Sequence, residues 1–251
     1  MWVRKLSWTG ATIAAMSSDK RFEVPLYTAS EAARYLGVPV STFRTWAHGY
    51  QRKSKGRRPV VGDAIVTTVA SDAGASVPFV GLAEAHALTA IRKSGVPLQR
   101  IRPALDRLQQ ELGIEHALAS KALYTDGAEV LYDYAETLGD TPEARSAREL
   151  VVVRHGQHAF NEVVDSYLRR VEFQAGDPWA HLIHLPRYPT ADVIVDPERS
   201  FGQPIFASGG ARTEVVLAAF KRGASIDELT DEYGVPQADL LDVLRAHTDA
   251  A

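Results

Sequence analysis

The chain has 251 residues, 45% of them hydrophobic, and a formal net charge of −3 at pH 7. This length suits two modest domains of a soluble protein, and no stretch approaches the roughly 18 consecutive apolar residues of a membrane helix. A sequence without cysteine has no disulfides, thiolate metal sites or cysteine nucleophiles. Residues 1–20 hold only a weak, broken apolar region, so we expect no signal peptide and a cytoplasmic location.

The stretch ASEAARYLGVPVSTFRTWAH (29–48) predicts two helices joined by a tight turn. Thr28 and Glu31 have the spacing of a capping box, which starts the first helix. Gly37 can adopt the positive φ that the turn needs, and a proline follows where the second helix begins. Phe43 and Trp46 recur at helical spacing and should face inward. The pattern is that of a helix-turn-helix.

The outward face of the second helix and the basic segment after it favour DNA binding. No acidic residue occurs from Val40 to Arg58. Hydroxyl and arginine side chains on such a helix suit phosphates and base edges in a major groove. The alternative is a solvated basic loop beside two helices that only pack together. The candidate DNA-binding residues are Ser41, Thr42, Arg44, Thr45, His48, Tyr50, Arg52, Lys53, Lys55, Arg57 and Arg58.

Residues 59–68 and 77–80 are predicted to form the two strands of a wing, because β-branched segments flank a turn-prone stretch. Helices are expected over 81–95 and in the leucine-rich segment that follows, where Pro103 either kinks the helix or marks its start at Arg102. This leucine stripe is a candidate core face or dimer seam. Residues 121–134 are predicted to form a β-hairpin with Asp126-Gly127 as its turn.

The polar segment 136–149, interrupted by glycine and proline, is taken as a domain boundary. A strand is expected over 150–157, a helix from 160 to at least Arg170, and a proline-rich connector with short extended pieces over 176–204. Helices return over 213–223, 225–234 and 236–247. The fold class is therefore mainly α with small β elements (α+β). The predicted domains are an N-terminal extension (1–20), a winged helix-turn-helix with helical and hairpin additions (21–135), a connector with strand and helix (136–195) and a three-helix, helix-turn-helix-like C-terminal domain (196–251).

The C-terminal helices repeat the pattern of the first pair with the opposite charge. Residues 233–236 align with 36–39, and Ser225 and Glu228 form a second capping box. From Ser225 to Ala251 there are seven acidic residues and one basic residue. Because affinity for duplex DNA comes largely from neutralising phosphates, this module should not bind DNA. It either binds protein or serves as a structural cap.

The segment LVVVRHGQHAFNE (150–162) resembles the phosphate-binding signature of the histidine phosphatase and phosphoglycerate mutase family. In that interpretation His155 would be the nucleophile and Asn161 would contact the phosphate. The family also needs a long α/β domain after the motif and a second histidine before a glycine, and neither is present downstream. Without an acid and a charge clamp, His155 does not make a site. His181 and His184 form only a weak metal pair, so the sequence predicts neither an enzyme nor a cofactor.

The N-terminal stretch resembles MerR-type helix-turn-helix domains, with the residues after Tyr50 as the wing. The segment 196–246 is similar to a small helical family of unknown function, through Gly202-x-Pro204-Ile205, Gly223-x-Ser225-Ile226 and the turn at 233–235. Its Gly210-Ala211-Arg212 departs from the Gly-Thr-Arg of that family. Together the two segments resemble the long VapB-type antitoxins of bacterial chromosomal toxin–antitoxin pairs.

This resemblance implies a partner toxin of VapC type, with a PIN-like, Mg²⁺-dependent ribonuclease fold, and repression of the operon by DNA binding. It implies a homodimer within a toxin–antitoxin hetero-oligomer. Because a PIN-like active site is a carboxylate cluster, the blocking surface should present cations. The candidates for toxin binding are Arg212, Lys221 and Arg222, with the alternative that Arg212 pairs with an internal carboxylate. The leading alternative is a MerR-like regulator with a ligand- or protein-sensing C-terminal domain, and a histidine-phosphatase-like enzyme is a distant third.

Overall fold

The structure is a computed structural model that describes residues 19–52, 60–71, 74–113, 115–154 and 157–248. It is mainly helical with small antiparallel sheets, as the sequence predicts. Within these ranges the helices are α1 (Lys20–Glu23), α2 (Ala29–Leu36), α3 (Val40–His48), α4 (Phe79–Lys93), α5 (Leu98–Leu112), α6 (Lys121–Leu138), α7 (Pro142–Glu149), α8 (Glu162–Leu168), α9 (Thr213–Lys221), α10 (Ile226–Tyr233) and α11 (Gln237–Thr248). The strands are β1 (Tyr50–Arg52), β2 (Val60–Gly62), β3 (Val151–Arg154), β4 (Gln157–Phe160), β5 (Val171–Phe173), β6 (Ala180–His184), β7 (Val193–Val195) and β8 (Ile205–Phe206). No helix in the described part of the chain is long and apolar enough to cross a membrane.

Helices α2 and α3 form the predicted helix-turn-helix. Both hydrogen bonds of the capping box between Thr28 and Glu31 are present at the start of α2. Gly37 ends that helix in the left-handed region, with φ 66° and ψ 35°. Phe43 and Trp46 of α3 are buried, with 0% and 2% of their surface exposed. Local sequence signals therefore determine this unit.

The wing differs from the prediction in its strands. β1 and β2 pair antiparallel, with Tyr50 opposite Gly62. The predicted second wing strand at 77–80 is wrong, because Val77 instead exchanges backbone hydrogen bonds with Tyr27 and α4 begins at Phe79. The hairpin thus flanks the basic segment of the sequence.

Helix α4 runs through the centre of the hydrophobic core. Every residue from Phe79 to Ile91 is buried, which a helix can sustain only when neighbours cover all its sides. It contacts α2, α8 and the short turn Ala117–Ala119. Helix α5 passes through Pro103 without a break, spanning Leu98–Leu112.

The β-hairpin predicted at 121–134 is wrong, since these residues belong to α6. Gly127 is buried inside this helix, and a Cβ there would lie 3.0 Å from Leu123 Cδ1 and 3.2 Å from Phe160 Cζ. The glycine therefore permits close packing rather than a turn. Leu123, Leu131 and Ala135 lie on its buried face, and α6 packs on α5 and α7.

The segment around the RHG motif forms a hairpin followed by a short helix. β3 and β4 pair from Val151–Phe160 to Arg154–Gln157. The helix expected to reach Arg170 ends at Leu168, because Val171 pairs with Ile183 in the next sheet.

The segment expected to be a connector, 176–204, supplies the two central strands of a four-stranded antiparallel sheet, ordered β5-β6-β7-β8. Ile183 pairs with Val195, and Ile194 with Ile205. Leu182, Ile194 and Ile205 pack together on one face, while Ile183 and Val195 join the main core.

The C-terminal unit is built as the sequence predicts. The second capping box, between Ser225 and Glu228, is present at the start of α10. Gly234 ends α10 with φ 63° and ψ 26°, close to the values at Gly37. One continuous hydrophobic core extends from Tyr27 to Val243 and so joins both ends of the chain.

Candidate DNA-binding face and C-terminal surface

The outward face of α3 carries the predicted side chains. Ser41, Arg44 and His48 are exposed, and Thr42 and Thr45 are half-buried. The hydroxyl of Thr45 donates to the carbonyl of Ser41 at 2.9 Å. Within the described residues no side chain caps the N terminus of α3, and the N–H of Thr42 donates to the Pro39 carbonyl at 2.9 Å. The N–H groups of Val40 and Ser41 are therefore the ones suited to a phosphate.

A capping box starts α2, and backbone hydrogen bonds hold the C-terminal end of α3. The Thr28 hydroxyl accepts the N–H of Glu31 at 3.1 Å, while the Glu31 carboxylate accepts the N–H of Thr28 at 2.8 Å. After α3, the N–H groups of Ile65 and Val66 donate to the carbonyl of Trp46 at 2.8 and 3.0 Å. The hairpin is thereby tied to the C-terminal end of α3.

The hairpin begins at a turn that requires glycine. Gly49 has φ +71°, and a Cβ there would lie 2.4 Å from the carbonyl oxygen of Gly62. The ring of Tyr50 covers Gly62, since a Cβ on Gly62 would lie 2.3 Å from Tyr50 Cε1. Tyr50 is therefore held against the hairpin, and the backbone of Arg52 pairs with Val60. The candidates Lys53, Lys55, Arg57 and Arg58 lie outside the described residues.

The second helix-turn-helix unit has part of its outward face engaged within the fold. By the alignment of 233–236 with 36–39, Asp239 and Asp242 of α11 take the places of Thr42 and Thr45. The Asp242 carboxylate accepts the N–H groups of Thr190 and Ala191 at 2.7 and 2.8 Å. Burial raises the pKa of Asp239 against the opposing effect of a hydrogen bond with the Asp192 backbone, and the nearby charges of Asp192 and Asp242 add to the rise. Part of the surface that α3 offers to solvent is thus engaged in α11 by the chain itself, although Arg245, at the position of His48, is exposed.

The three candidate cations for a protein partner are exposed on or beside α9. Arg212 precedes the helix, and its guanidinium lies 3.2 Å from the Glu214 carboxylate. Both side chains are exposed, at 43% and 79%, so this pair is weak and replaceable. Lys221 and Arg222 are exposed at the other end of the helix.

The motif that resembles a phosphatase signature has structural roles in its described part. The Asn161 side chain caps α8, accepting the N–H of Val164 at 3.0 Å and donating to the carbonyl of Glu149 at 2.8 Å. His155 and Gly156 lie outside the described residues. Both polar atoms of the Asn161 amide are therefore engaged within the fold.

The two downstream histidines make hydrogen bonds to side chains of the sheet. His181 lies 3.1 Å from Gln174, and His184 lies between Glu172 at 2.8 Å and Asp192 at 2.6 Å. Burial alone would lower the pKa of His184, but its bonds to the two carboxylates raise it above the ordinary value. In the described ranges no three His, Asp or Glu side chains are grouped to hold a metal ion.

Side chains link the DNA-binding unit to the C-terminal half, which the sequence did not indicate. The buried Tyr27 hydroxyl donates to the carbonyl of Gly202 at 2.9 Å. Arg187 donates to the carbonyl of Arg34 in α2 at 3.1 Å and also to the carbonyl of Ala246 in α11. One guanidinium thus bridges the last turns of two helices from opposite ends of the chain.

The fold and the face of α3 define a helix-turn-helix protein with a hairpin wing and a second unit of the same turn geometry. Residues 25–105 match a family described as "Putative DNA-binding HTH domain", and residues 193–245 match "Protein of unknown function (DUF433)".

Known proteins resemble the chain over most of its length. It is 47% identical over 231 residues to a Mycobacterium tuberculosis protein named "Putative antitoxin VapB45", covering 91% of this chain and 96% of that protein. A second relative, "Uncharacterized protein Rv2308" of the same organism, is 23% identical and covers 92% and 93%. A crystal structure of Rv2018 from Mycobacterium tuberculosis has a TM-score of 0.78 at 44% identity, covering 89% of this chain and 99% of that one. The chain belongs to this family of VapB-type antitoxins, which confirms the resemblance seen in the sequence.

Proposed function

We propose that the chain binds operator DNA through α3 and its hairpin, represses its own operon, and inhibits a toxin with a PIN-like ribonuclease fold through its C-terminal unit. The observation that carries the proposal is the contrast between two units with the same turn. The first unit has exposed side chains on its second helix, beside a basic segment. In the second unit, Asp242 lies at an equivalent position of the second helix and is hydrogen-bonded within the fold.

For DNA, the exposed Ser41, Arg44 and His48 would face the major groove, and the basic segment would neutralise phosphates. Repressors of this shape commonly bind two half-sites as a dimer. A homodimer would double the phosphate contacts and set the spacing of the operator halves.

For the toxin, the cations beside α9 suit a partner whose active site is a carboxylate cluster. Arg212 would exchange Glu214 for a toxin carboxylate. Because the exposed internal pair contributes at most about 1 kcal/mol, its loss is a small cost. Lys221 and Arg222 would strengthen the complex from the other end of the helix.

Co-expression with the product of the adjacent gene tests both halves of the proposal. We expect a stable complex in which a Mg²⁺-dependent ribonuclease is silent, and a reporter driven by the upstream promoter that is repressed. Arg212→Ala combined with Lys221→Ala and Arg222→Ala should restore ribonuclease activity and leave repression intact. Arg169→Ala, which removes a 74% exposed cation outside both surfaces, is the control. Absence of a complex with the wild-type chain would contradict the antitoxin mechanism and leave a ligand-sensing regulator.

A further inference from the structure

Phe201 is displayed to solvent by an unusual backbone. Its side chain is 85% exposed, and its φ of 53° lies between 48° at Ser200 and 70° at Gly202. Single exposed apolar side chains are ordinary. Two adjacent non-glycine residues in the left-handed region are not, because the Cβ atom is crowded there. Such strain persists only where the surrounding structure imposes it, and it concentrates at functional positions.

The surrounding structure imposes this backbone conformation through buried groups. The N–H of Gly202 donates to the carbonyl of Arg199 at 2.9 Å, and the Gly202 carbonyl accepts the buried Tyr27 hydroxyl. Asp196, only 4% exposed, accepts the N–H of Glu198 at 2.8 Å. The loop is therefore held at both ends, and the ring of Phe201 is presented on a rigid support.

Phe201 forms part of the wall of a cleft of about 640 Å³ between α1, the β5–β6 connection and its own loop. A cation on that wall, the Arg21 guanidinium, is already paired with Asp19 at 2.6 Å and Asp177 at 2.7 Å. Because both carboxylates engage the Arg21 guanidinium, this cation is not offered to a small anionic ligand. A rigid aromatic side chain loses little conformational entropy when a partner covers it.

The loop is continuous with the basic surface beside α9. Arg199 is exposed and makes no ion pair with the described residues. Its guanidinium lies 3.4 Å from the position of a Cβ on Gly210, in the loop that leads to Arg212. Aromatic and arginine side chains at the centre of an interface supply most of its binding energy. A carboxylate-bearing partner on Arg212 would also reach Arg199.

We propose that Phe201 is the apolar anchor of the toxin interface, inserting its ring into a pocket of the toxin while Arg199 lies beside the toxin's carboxylates. The identity of the partner rests on the proposed function. The position of the anchor rests on the exposed ring, its enforced backbone and its continuity with Arg212.

Phe201→Gly tests this inference without endangering the fold. Glycine adopts positive φ freely, so the thermal midpoint should stay or rise. Affinity for the adjacent gene product, measured by calorimetry with the full chain, should fall about thirtyfold, while affinity for promoter DNA stays within twofold. Phe201→Asn, which also tolerates this backbone, should behave alike. Val153→Ala, at another apolar position 67% exposed, is the control and should bind as wild type.

The outcomes separate the inference from the function on which it rests. If the wild-type chain binds the toxin and Phe201→Gly binds it within twofold, the anchor is refuted and the antitoxin mechanism stands. If the wild-type chain does not bind it, both fail. If Phe201→Gly dissociates a dimer of the chain while toxin affinity is kept, the ring covers a second copy and the inference is wrong.

Discussion

Replacing Arg44 with alanine tests the proposed DNA-binding face at an exposed cation of α3. Arg44 lies on the outward side of α3, opposite the buried Phe43 and Trp46. Because the side chain is exposed and alanine favours helices, the free energy of unfolding should change by no more than about 0.5 kcal/mol. A loss of DNA affinity would therefore report contact with DNA rather than unfolding.

The size of the effect depends on what Arg44 contacts. Six cations lie between Val40 and Arg58, so contact of all six with phosphates would give a slope of log K against log salt of roughly −5 for each subunit. Loss of one phosphate contact should make the slope about 0.9 shallower on any sequence. Loss of a base contact should instead cost about 1–3 kcal/mol on the operator alone.

Fluorescence anisotropy on promoter and scrambled duplexes, titrated at several salt concentrations, distinguishes these cases. Arg169→Ala changes the net charge equally at a residue outside the helix-turn-helix, and it should leave both the slope and the specificity unchanged. If Arg44→Ala and Arg169→Ala gave the same slope and the same operator affinity, the proposed face of α3 would be refuted.

Two further predictions concern stability. Gly202→Ala should lower the free energy of unfolding in urea by about 3 kcal/mol, because its Cβ would lie 2.6 Å from the Tyr27 hydroxyl. The control Gly74→Ala, at φ +83° with open space around it, should lower the free energy of unfolding by only about 1 kcal/mol. Equal losses in the two variants would contradict this packing argument. Because the pKa of His184 is raised in the folded state, its contribution to the free energy of unfolding is complete below the ordinary pKa of 6.5. This contribution is lost as the pH rises through the folded-state pKa. The free energy of unfolding in urea should accordingly fall over that window by about 1 kcal/mol more in the wild type than in His184→Gln. Parallel profiles would show that the carboxylate bonds do not stabilise the fold.

The elements that could be predicted from sequence are those whose signals are local. Each of these elements depends on residues within one or two helical turns: both capping boxes, the left-handed Gly37 and Gly234, and the buried face of α3. Such signals combine to specify a helix-turn-helix before any tertiary contact is known.

The errors arose where tertiary packing overrides a local signal. Asp126-Gly127 has the composition of a hairpin turn, but Gly127 packs against Phe160, more than thirty residues away in the sequence. Leu123, Leu131 and Ala135 recur at multiples of four, and this helical period was the better guide. The pairing of the short extended pieces into the sheet β5–β8 could not be predicted, because its strands are only two to five residues long and are separated by proline-containing segments.

Some features of the candidate site could likewise be predicted from the sequence, and others could not. The exposed positions of α3 follow from helical periodicity alone. The engagement of Asp242 by a distant loop and the enforced exposure of Phe201 depend on backbone geometry between remote segments. Composition shows that a charged group or an aromatic ring is present. It does not show whether that group is bonded within the fold or exposed to solvent.

The bridge made by Arg187 means that the two ends of the chain are structurally inseparable. A truncation that removed α11 would leave the guanidinium of Arg187 without the Ala246 carbonyl and would loosen its contact with the end of α2. Fragments chosen from domain-sized pieces of the sequence would therefore each lose part of a shared core. Exchange of modules between relatives should succeed only when Arg187 and both helix ends are transferred together.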